Sequence, residues 1–382
     1  MNAKDRIAIV APDKFRGSAH QKELIETIAT TLDDSGDFTK ILKFEIADGG
    51  EGTSTIWRNL GWHEIKLIVA GPLGDLHQAS IYQSPDQRKI GIELAECCGT
   101  KWLSGRQEPL DSSTFGLGQA LKSAMALSPS EIIVALGGSA SSDAGAGIAE
   151  ALGLPYLDAQ KKMVRRGLKG LGKFRRIDHE ELERFRDSMQ HIKVRILTDV
   201  ANPICGKNGA IRSFGEQKGL NSIQRRYWDR VMYKAVKRLE KTTQTKLLGV
   251  LGFGAAGGTA LAINLFFQGD IESGAEYCLQ ESGFLAALPQ ADLVVTGEGK
   301  LDSTTIQGKT VFKILTHCRN QSIDSLVVVG QGKKKIVKMI ESEFPLTRIY
   351  SLTKLAASSS ESLKNPHKYI KEAVTQYLKE KD

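Results

Sequence analysis

Two features of the 382-residue sequence predict an α/β fold with a largely parallel sheet. Short apolar strands alternate with helical stretches along most of the chain, and the tails of those strands mix glycine with acids, lysine or hydroxyls. A third feature, a run of close-spaced strands between residues 63 and 95, sets off a second region.

RIAIVA (6–11) reads as the first strand and leads to a helix opening at Ser18, with Gln21 three positions on as its capping-box partner. KILKFEI (40–46) is the second strand. HEIKLIVAG, HQASIYQ and KIGIELAE follow, separated only by the turns GPLGDL and SPDQ, which is the pattern of an antiparallel meander. That shift puts a domain boundary near residue 61. IIVAL (132–136), KVRIL (193–197), DLVVT (292–296), SLVVV (325–329) and RIYSL (348–352) resume the alternation, and SSSES (358–362) reads as a loop.

The length suggests two domains. A hydrophobic content of 41% with 25% charged residues is globular. No apolar run approaches the ~18–20 residues that span a bilayer. The N-terminus, MNAKDRIAIVAPDK, runs into a strand without the pattern of a secretory signal. Cys97, Cys98, Cys205, Cys278 and Cys318 form no CxxC and suit a reducing cytoplasm. The seven histidines make no HExxH and no cluster with cysteine, so zinc is unsupported. The net charge is +8, yet the densest basic stretch, 161–176, is followed at once by DHEELE. The basic residues near 225–238 interleave with apolar ones as on a solvated helix face, and no nucleic-acid-binding motif occurs. Nucleic acid is therefore not expected as a partner. A mild positive field would attract a small anionic substrate.

The strand tails are PDKFRGS, ADGGEGT, GGSASSDAGAG, TDVANP, TGEGKLDS and GQGKKK. Ligands of open α/β sheets bind beyond the carboxyl ends of the strands, so ADGGEGT (47–53) is expected to form one wall of a shared site. GGSASSDAGAG (137–147) offers successive backbone N–H groups and a helix N-terminus as a phosphate cradle, without the GK[ST] ending of a Walker A loop. Its plainer reading is a helix capped by Ser142 or Asp143. TGEGKLDSTTIQGK (296–309) sets Glu298 and Asp302 beside lysines, which suits a hydrated magnesium ion bridging phosphates, or else a solvated ion-pair network. Asp199, in TDVANP, is a general base or a turn former. GFGAAG (252–257) matches GxGxxG and supports a competing reading, an NAD(P)-dependent dehydrogenase. That reading needs a following strand with an acid about 20 residues on. Asp270 and Glu272 lie near that distance, but FFQGDIESGAEYC reads as helix and turn and the next clear strand starts near 292.

Taken together, APDKFRGS (11–18), ADGGEGT (47–53), GGSASSDAGAG (137–147), TDVANPICGKNGA (198–210), FGEQKG (214–219), GAAGG (254–258) and TGEGKLD (296–302) resemble the bacterial type I glycerate kinases, in the family's order and over nearly the whole chain. The resemblance implies ATP-dependent phosphorylation of D-glycerate, at the 2-hydroxyl. It also implies a flavodoxin-like domain built from both chain ends (1–61 and 285–382) and an inserted, mixed-sheet domain likened to a restriction-endonuclease core (62–284), with the active site in the cleft between them. The family loop reads closer to GGSATNDGGAG, so Ser141, Ser142 and Ala144 replace Thr, Asn and Gly. An alanine at 144 matters if that position needs a positive φ. Glu216 stands where proline is usual, and GKTVFKI lacks the proline often found after GK.

Roles follow from the matching residues. Lys14 and Arg16 would hold the glycerate carboxylate, Arg16 by a bidentate fork, with Lys14 among the catalytic groups and Glu51 and Lys218 beside the substrate. Asp48 or Asp199 would accept the hydroxyl proton. Gly137, Gly138, Ser139 and Ser142, with Lys309, would hold the ATP phosphates. Asp143, Glu298 and Asp302 would help to hold Mg²⁺, directly or through water, and Lys218 or Lys309 would neutralise the transferring group. The expected cofactors are ATP and Mg²⁺, in a cytoplasmic monomer or homodimer with no membrane contact whose domains close to exclude water. A catalytically inactive relative acting as a binding protein is the remaining reading, against which the retained acids at 48, 143, 199, 298 and 302 speak.

Overall fold

A computed structural model describes residues 5–15, 19–302 and 305–381. Its strands, in chain order, are β1 (Ile7–Pro12), β2 (Lys40–Lys43), β3 (His63–Ala70), β4 (Leu76–Gln83), β5 (Lys89–Glu93), β6 (Glu131–Ala135), β7 (Lys193–Leu197), β8 (Asp270–Glu272), β9 (Leu293–Leu301), β10 (Asp324–Gly332) and β11 (Thr347–Ser351). Two units divide the chain: Met1–Asp48 with Ala275–Asp382, and Gly49–Gly274. Both crossings fall earlier than residues 61 and 285, so the helix Thr53–Asn59 belongs to the second unit.

The first unit is a five-stranded parallel sheet in the order β11-β10-β9-β1-β2. Numbered within this unit alone, the order is 2-1-3-4-5, the flavodoxin-like arrangement, whose switch point lies between β1 and β9. Its central strands are buried on both faces and therefore read as unbroken apolar runs. Leu24 and Ile28 from the helix Gln21–Asp33 pack with Tyr369 and Val374 from Pro366–Lys381 over Ala8, Val10 and Val295. On the other side Ile314 and Cys318, from the helix Thr310–Asn320, join Phe284 and Leu288 against Ile9, Ala11 and Val294.

Local boundaries differ from the sequence reading in four places. The first helix begins at Gln21, where Glu23 accepts from the His20 N–H at 3.4 Å; Ser18 lies outside the described residues. β2 stops at Lys43, and residues 44–48 carry no strand pairing. β9 and β10 run on through glycine-rich residues expected to be tails, with Gln331 opposite Lys300 and Gly332 opposite Leu301. SSSES is not a loop: Ser358 caps the helix Ser359–Lys364 by accepting from the Glu361 N–H.

The second unit is a six-stranded mixed sheet in the order β3-β4-β5-β6-β7-β8. β3, β4 and β5 pair antiparallel as the meander predicts, and β5 to β8 are parallel. β8 is a real if short strand inside FFQGDIESG, which the sequence reading took for helix and turn. The basic stretch 161–176 is partly neutralised, because Arg165 and Lys169 both pair with Asp111 at 2.6 Å and Arg166 pairs with Glu150 at 2.5 Å. Among the described residues no helix is long and apolar enough to cross a membrane.

Trp57 anchors the helix Thr53–Asn59 on this sheet. It is fully buried, its ring centroid 5.8 Å from Trp62 and 5.7 Å from Tyr82, over the open space that Gly91 leaves. Trp57→Ala is expected to lower stability by about 3–5 kcal/mol, measured by urea unfolding of the full chain.

Candidate active site

In the second unit the carboxyl ends of four parallel strands converge on the segment that follows Asp48. Gly49, at φ +73°, comes so close to Gly274, two residues past β8, that a Cβ on it would lie 2.2 Å from the Gly274 Cα. Gly137, just past β6, approaches Gly50 in the same way: a Cβ there would meet the Gly50 Cα at 2.6 Å. These two contacts explain why the turn is built of glycine. Glu93, the last residue of β5, is 2% exposed, and its carboxylate accepts from the Gly52 N–H at 3.1 Å and the Ser54 N–H at 3.0 Å. It thereby satisfies the first amides of the helix that carries the segment onward. Burial raises the Glu93 pKa, and the amide hydrogen bonds oppose that rise. Sequence reasoning passed over Glu93, although an acid at a strand's carboxyl end was the signal available. Glu51 is exposed on the same segment. Past β7, Asp199 accepts from the Ser273 hydroxyl at 2.7 Å.

The 137–147 loop is organised by Asp143, which is wholly buried. Its Oδ2 accepts from the Thr114 N–H at 2.9 Å, the Thr114 hydroxyl at 3.0 Å and the Gly147 N–H at 3.2 Å, and its Oδ1 accepts from the Gly145 N–H at 3.2 Å. The structure thus sets Asp143, which the sequence reading placed beside Mg²⁺, among backbone and hydroxyl donors. It holds the Gly145 and Gly147 amides at the start of the helix Ala146–Ala151, whose N-cap is Gly145, much as the plainer sequence reading has it. Burial raises its pKa, while the bonds from Thr114, Gly147 and Gly145 favour the charge.

Lys218 is also buried. Its ammonium donates to the Ser141 carbonyl and, at 3.4 Å, to the Ser142 hydroxyl, so it points into this loop. Desolvation brings its pKa down to about 8 although Asp143 and Cys98 lie nearby. Among the described residues the amide N–H groups of Gly137, Gly138, Ser139, Ser142 and Asp143 find no acceptor.

GFGAAG is a buttress of that loop. No strand precedes it, since residues 244–254 carry turns and irregular chain, and this removes the dehydrogenase reading. A Cβ on Gly257 would lie 2.2 Å from the Ser141 oxygen, and one on Gly254 2.4 Å from the Pro203 oxygen. Close packing against two other loops accounts for these glycines. Ala144, by contrast, sits at φ +49° without being glycine. The left-handed region costs alanine about 1–2 kcal/mol, while its buried methyl contributes about 0.8 kcal/mol. Ala144→Gly is therefore expected to leave stability level or raise it by up to about 1 kcal/mol, read by urea unfolding.

In the first unit the candidate residues lie about the β1/β9 switch point. The Asp13 N–H donates to Gly297 O at 2.8 Å, bringing Asp13 beside the start of GEGK, and the Asp13 carboxylate accepts from the Lys14 N–H at 2.7 Å. Glu298 is 6% exposed and accepts from the Thr305 hydroxyl at 2.6 Å; that same oxygen accepts from the Asp302 N–H at 3.2 Å. Lys309 stands at the N-cap of the helix Thr310–Asn320. The Thr310 hydroxyl donates to Ala47 O at 3.2 Å, which ties down the residue before Asp48. Asp13 and Thr305 were not singled out from the sequence. Arg16 lies outside the described residues.

Burial raises the Glu298 pKa to about 7, against the Thr305 hydrogen bond and the Lys309 charge, with Asp13 and Asp302 adding to the rise. Because the folded value exceeds the ordinary 4.5, the protonated form is favoured by folding. Its stabilisation is complete below pH 4.5 and is lost as pH rises through about 7. Glu298→Gln is expected to match the parent's melting temperature at pH 4 and exceed it at pH 8, by the equivalent of about 2–3 kcal/mol.

A profile of the Glycerate kinase family matches residues 8–380. A glycerate kinase of Halalkalibacterium halodurans is 30% identical over 351 residues, covering 90% of this chain and 92% of that one. A glycerate 2-kinase of Escherichia coli is 32% identical over 305 residues, 79% of each chain. A solved structure described as a glycerate kinase 2 from Salmonella typhimurium superposes with a TM-score of 0.76 at 26% identity, over 99% of this chain and all of that one. With the family's profile spanning almost its entire length, this chain belongs to the glycerate kinase family.

Proposed function

We propose that the enzyme transfers the γ-phosphoryl group of ATP to the 2-hydroxyl of D-glycerate, giving 2-phosphoglycerate and ADP. The observation that carries this reading is the 137–143 loop, with five backbone N–H groups lacking acceptors. Successive free amides held by buried anchors are a cradle for phosphate oxygens. The glycerate 2-kinase name of the Escherichia coli relative supports the choice of hydroxyl.

Phosphoryl transfer demands positioning and charge neutralisation more than covalent chemistry from the protein. The loop amides would hold the nucleotide phosphates. Asp199 or Asp48 would take the proton from the 2-hydroxyl as its oxygen bonds to the γ-phosphorus and the bond to the β-phosphate oxygen breaks. Lys14 would pair with the glycerate carboxylate, and Lys309 would offset charge on the transferring group. Glu298 and Asp302 would offer the one or two carboxylates that Mg²⁺ usually takes alongside phosphate oxygens. When bound, the ion would neutralise phosphate charge. Glu298 would have to be ionised to serve, which favours binding above pH 7.

The test is ADP release coupled to pyruvate kinase and lactate dehydrogenase, with D-glycerate, ATP and Mg²⁺. Added enolase separates the products, since it consumes 2-phosphoglycerate directly and 3-phosphoglycerate only after a mutase. Turnover should require glycerate, and Asn replacement of the base, at Asp199 or at Asp48, should cut kcat by about 10²-fold or more. A folded, ADP-binding protein with no glycerate-dependent turnover would instead be an inactive relative.

A further inference from the structure

The family pattern alone would set Lys218 against a ligand, but its ammonium is spent on the chain itself. The Ser141 carbonyl accepts from Lys218 Nζ and lies 3.3 Å from the Ser139 hydroxyl, which is equally far from Ala256 O and Ser141 Oγ. No cis peptide bond occurs among the described residues. In a planar trans peptide the C=O and the following N–H point in opposite directions. Turning the Ser141 carbonyl toward Lys218 therefore aims the Ser142 N–H away from it. Ser142 is only 3% exposed, and that N–H has no acceptor among the described residues. An unpaired donor in so buried a residue is costly unless a ligand supplies the acceptor. Gly257 prevents the peptide from flipping back, since its backbone is packed against the Ser141 oxygen and the Ser142 Cα.

We infer that Lys218 is a positioning residue for the phosphate cradle, clamping the Ser141 carbonyl so that the Ser142 N–H is presented to a phosphoryl oxygen of a nucleoside di- or triphosphate. The inference rests on the proposed reading of this loop as the nucleotide-phosphate site. It assigns Lys218 an effect on phosphate binding alone, exerted without touching the ligand. The adenosine moiety and glycerate are indifferent to it.

ADP and adenosine are titrated calorimetrically into the full-length wild type, Lys218→Met and Lys218→Gln. Lys218→Met should weaken ADP about tenfold or more, the effect of losing one well-placed charged hydrogen bond. Adenosine affinity and the KM for glycerate should stay within about twofold to threefold. Lys218→Gln, which keeps an N–H donor, should recover part of the loss. Equal ADP affinity in wild type and Lys218→Met overturns the inference. So does a parallel loss of ADP and adenosine, which would mark a general collapse of the fold. The wild type supplies a measurement independent of either variant's folding: in ¹⁵N-labelled protein the Ser142 amide proton should move downfield on ADP addition, and an unmoved signal overturns the inference. Failure of the wild type to bind ADP at all would instead bring down the reading of the loop, and it is seen before any variant is made.

Discussion

A buried carboxylate has to be paid in hydrogen bonds, and Asp143 sets that condition for the second unit. Wholly out of water, it draws donors from Thr114, at the start of the helix Phe115–Ala126, and from Gly145 and Gly147, at the start of the next. Two helix N-termini are thereby fixed to one point, with their first amides satisfied and their dipoles facing a negative charge. The loop between Gly137 and Asp143 has little freedom left. Lys218, Gly257 and the Ala144 N–H bond to Gly257 O remove the rest. A loop held this way would need no reorganisation to take a phosphate in the proposed role.

Asp143 and Glu298 look alike in the sequence, each an acid in a glycine-bearing tail after a strand. Their surroundings separate them. Five hydrogen bonds surround Asp143, the longest from the Ser113 hydroxyl at 3.4 Å. Glu298 has one hydroxyl, from Thr305, and acids on both sides, so burial wins and its proton stays on until near neutrality. Glu93 falls with Asp143: a strand-end acid whose oxygens serve backbone amides. The count of donors around a buried carboxylate, more than its place in a motif, decides whether it stays available for a cation.

Most of the fold was legible because its signals are local. Apolar runs marked all but one of the strands, the meander's alternation marked the change of sheet type, and glycine-acid tails marked the carboxyl ends. β8 was missed because three residues are too few to show a period, and its pairing with β7 is set by tertiary contact. The ends of β9 and β10 were missed because glycine ordinarily weakens a strand, whereas here two glycine-rich strands sustain each other. Lys218 and Asp143 were legible as important and illegible as to role. A motif shows that a charge is kept; only burial and partner geometry show which way it points. GFGAAG shows the converse, since GxGxxG records a need for close backbone approach without saying what approaches.

Gly49 and Gly274, where the chain enters and leaves the second unit, touch backbone to backbone. This shortens a long journey. The Ile7 N–H bonds to the Asp292 carboxylate across 285 positions, and β1 pairs with β9 over a similar span. Closing a flexible loop of that length from an open chain costs about 4–5 kcal/mol in entropy. Once residues 49–274 have folded, their ends meet, and β1 and β9 become neighbours along the chain in all but number. An insertion that brings its own ends together removes most of that closure cost from the divided parallel sheet.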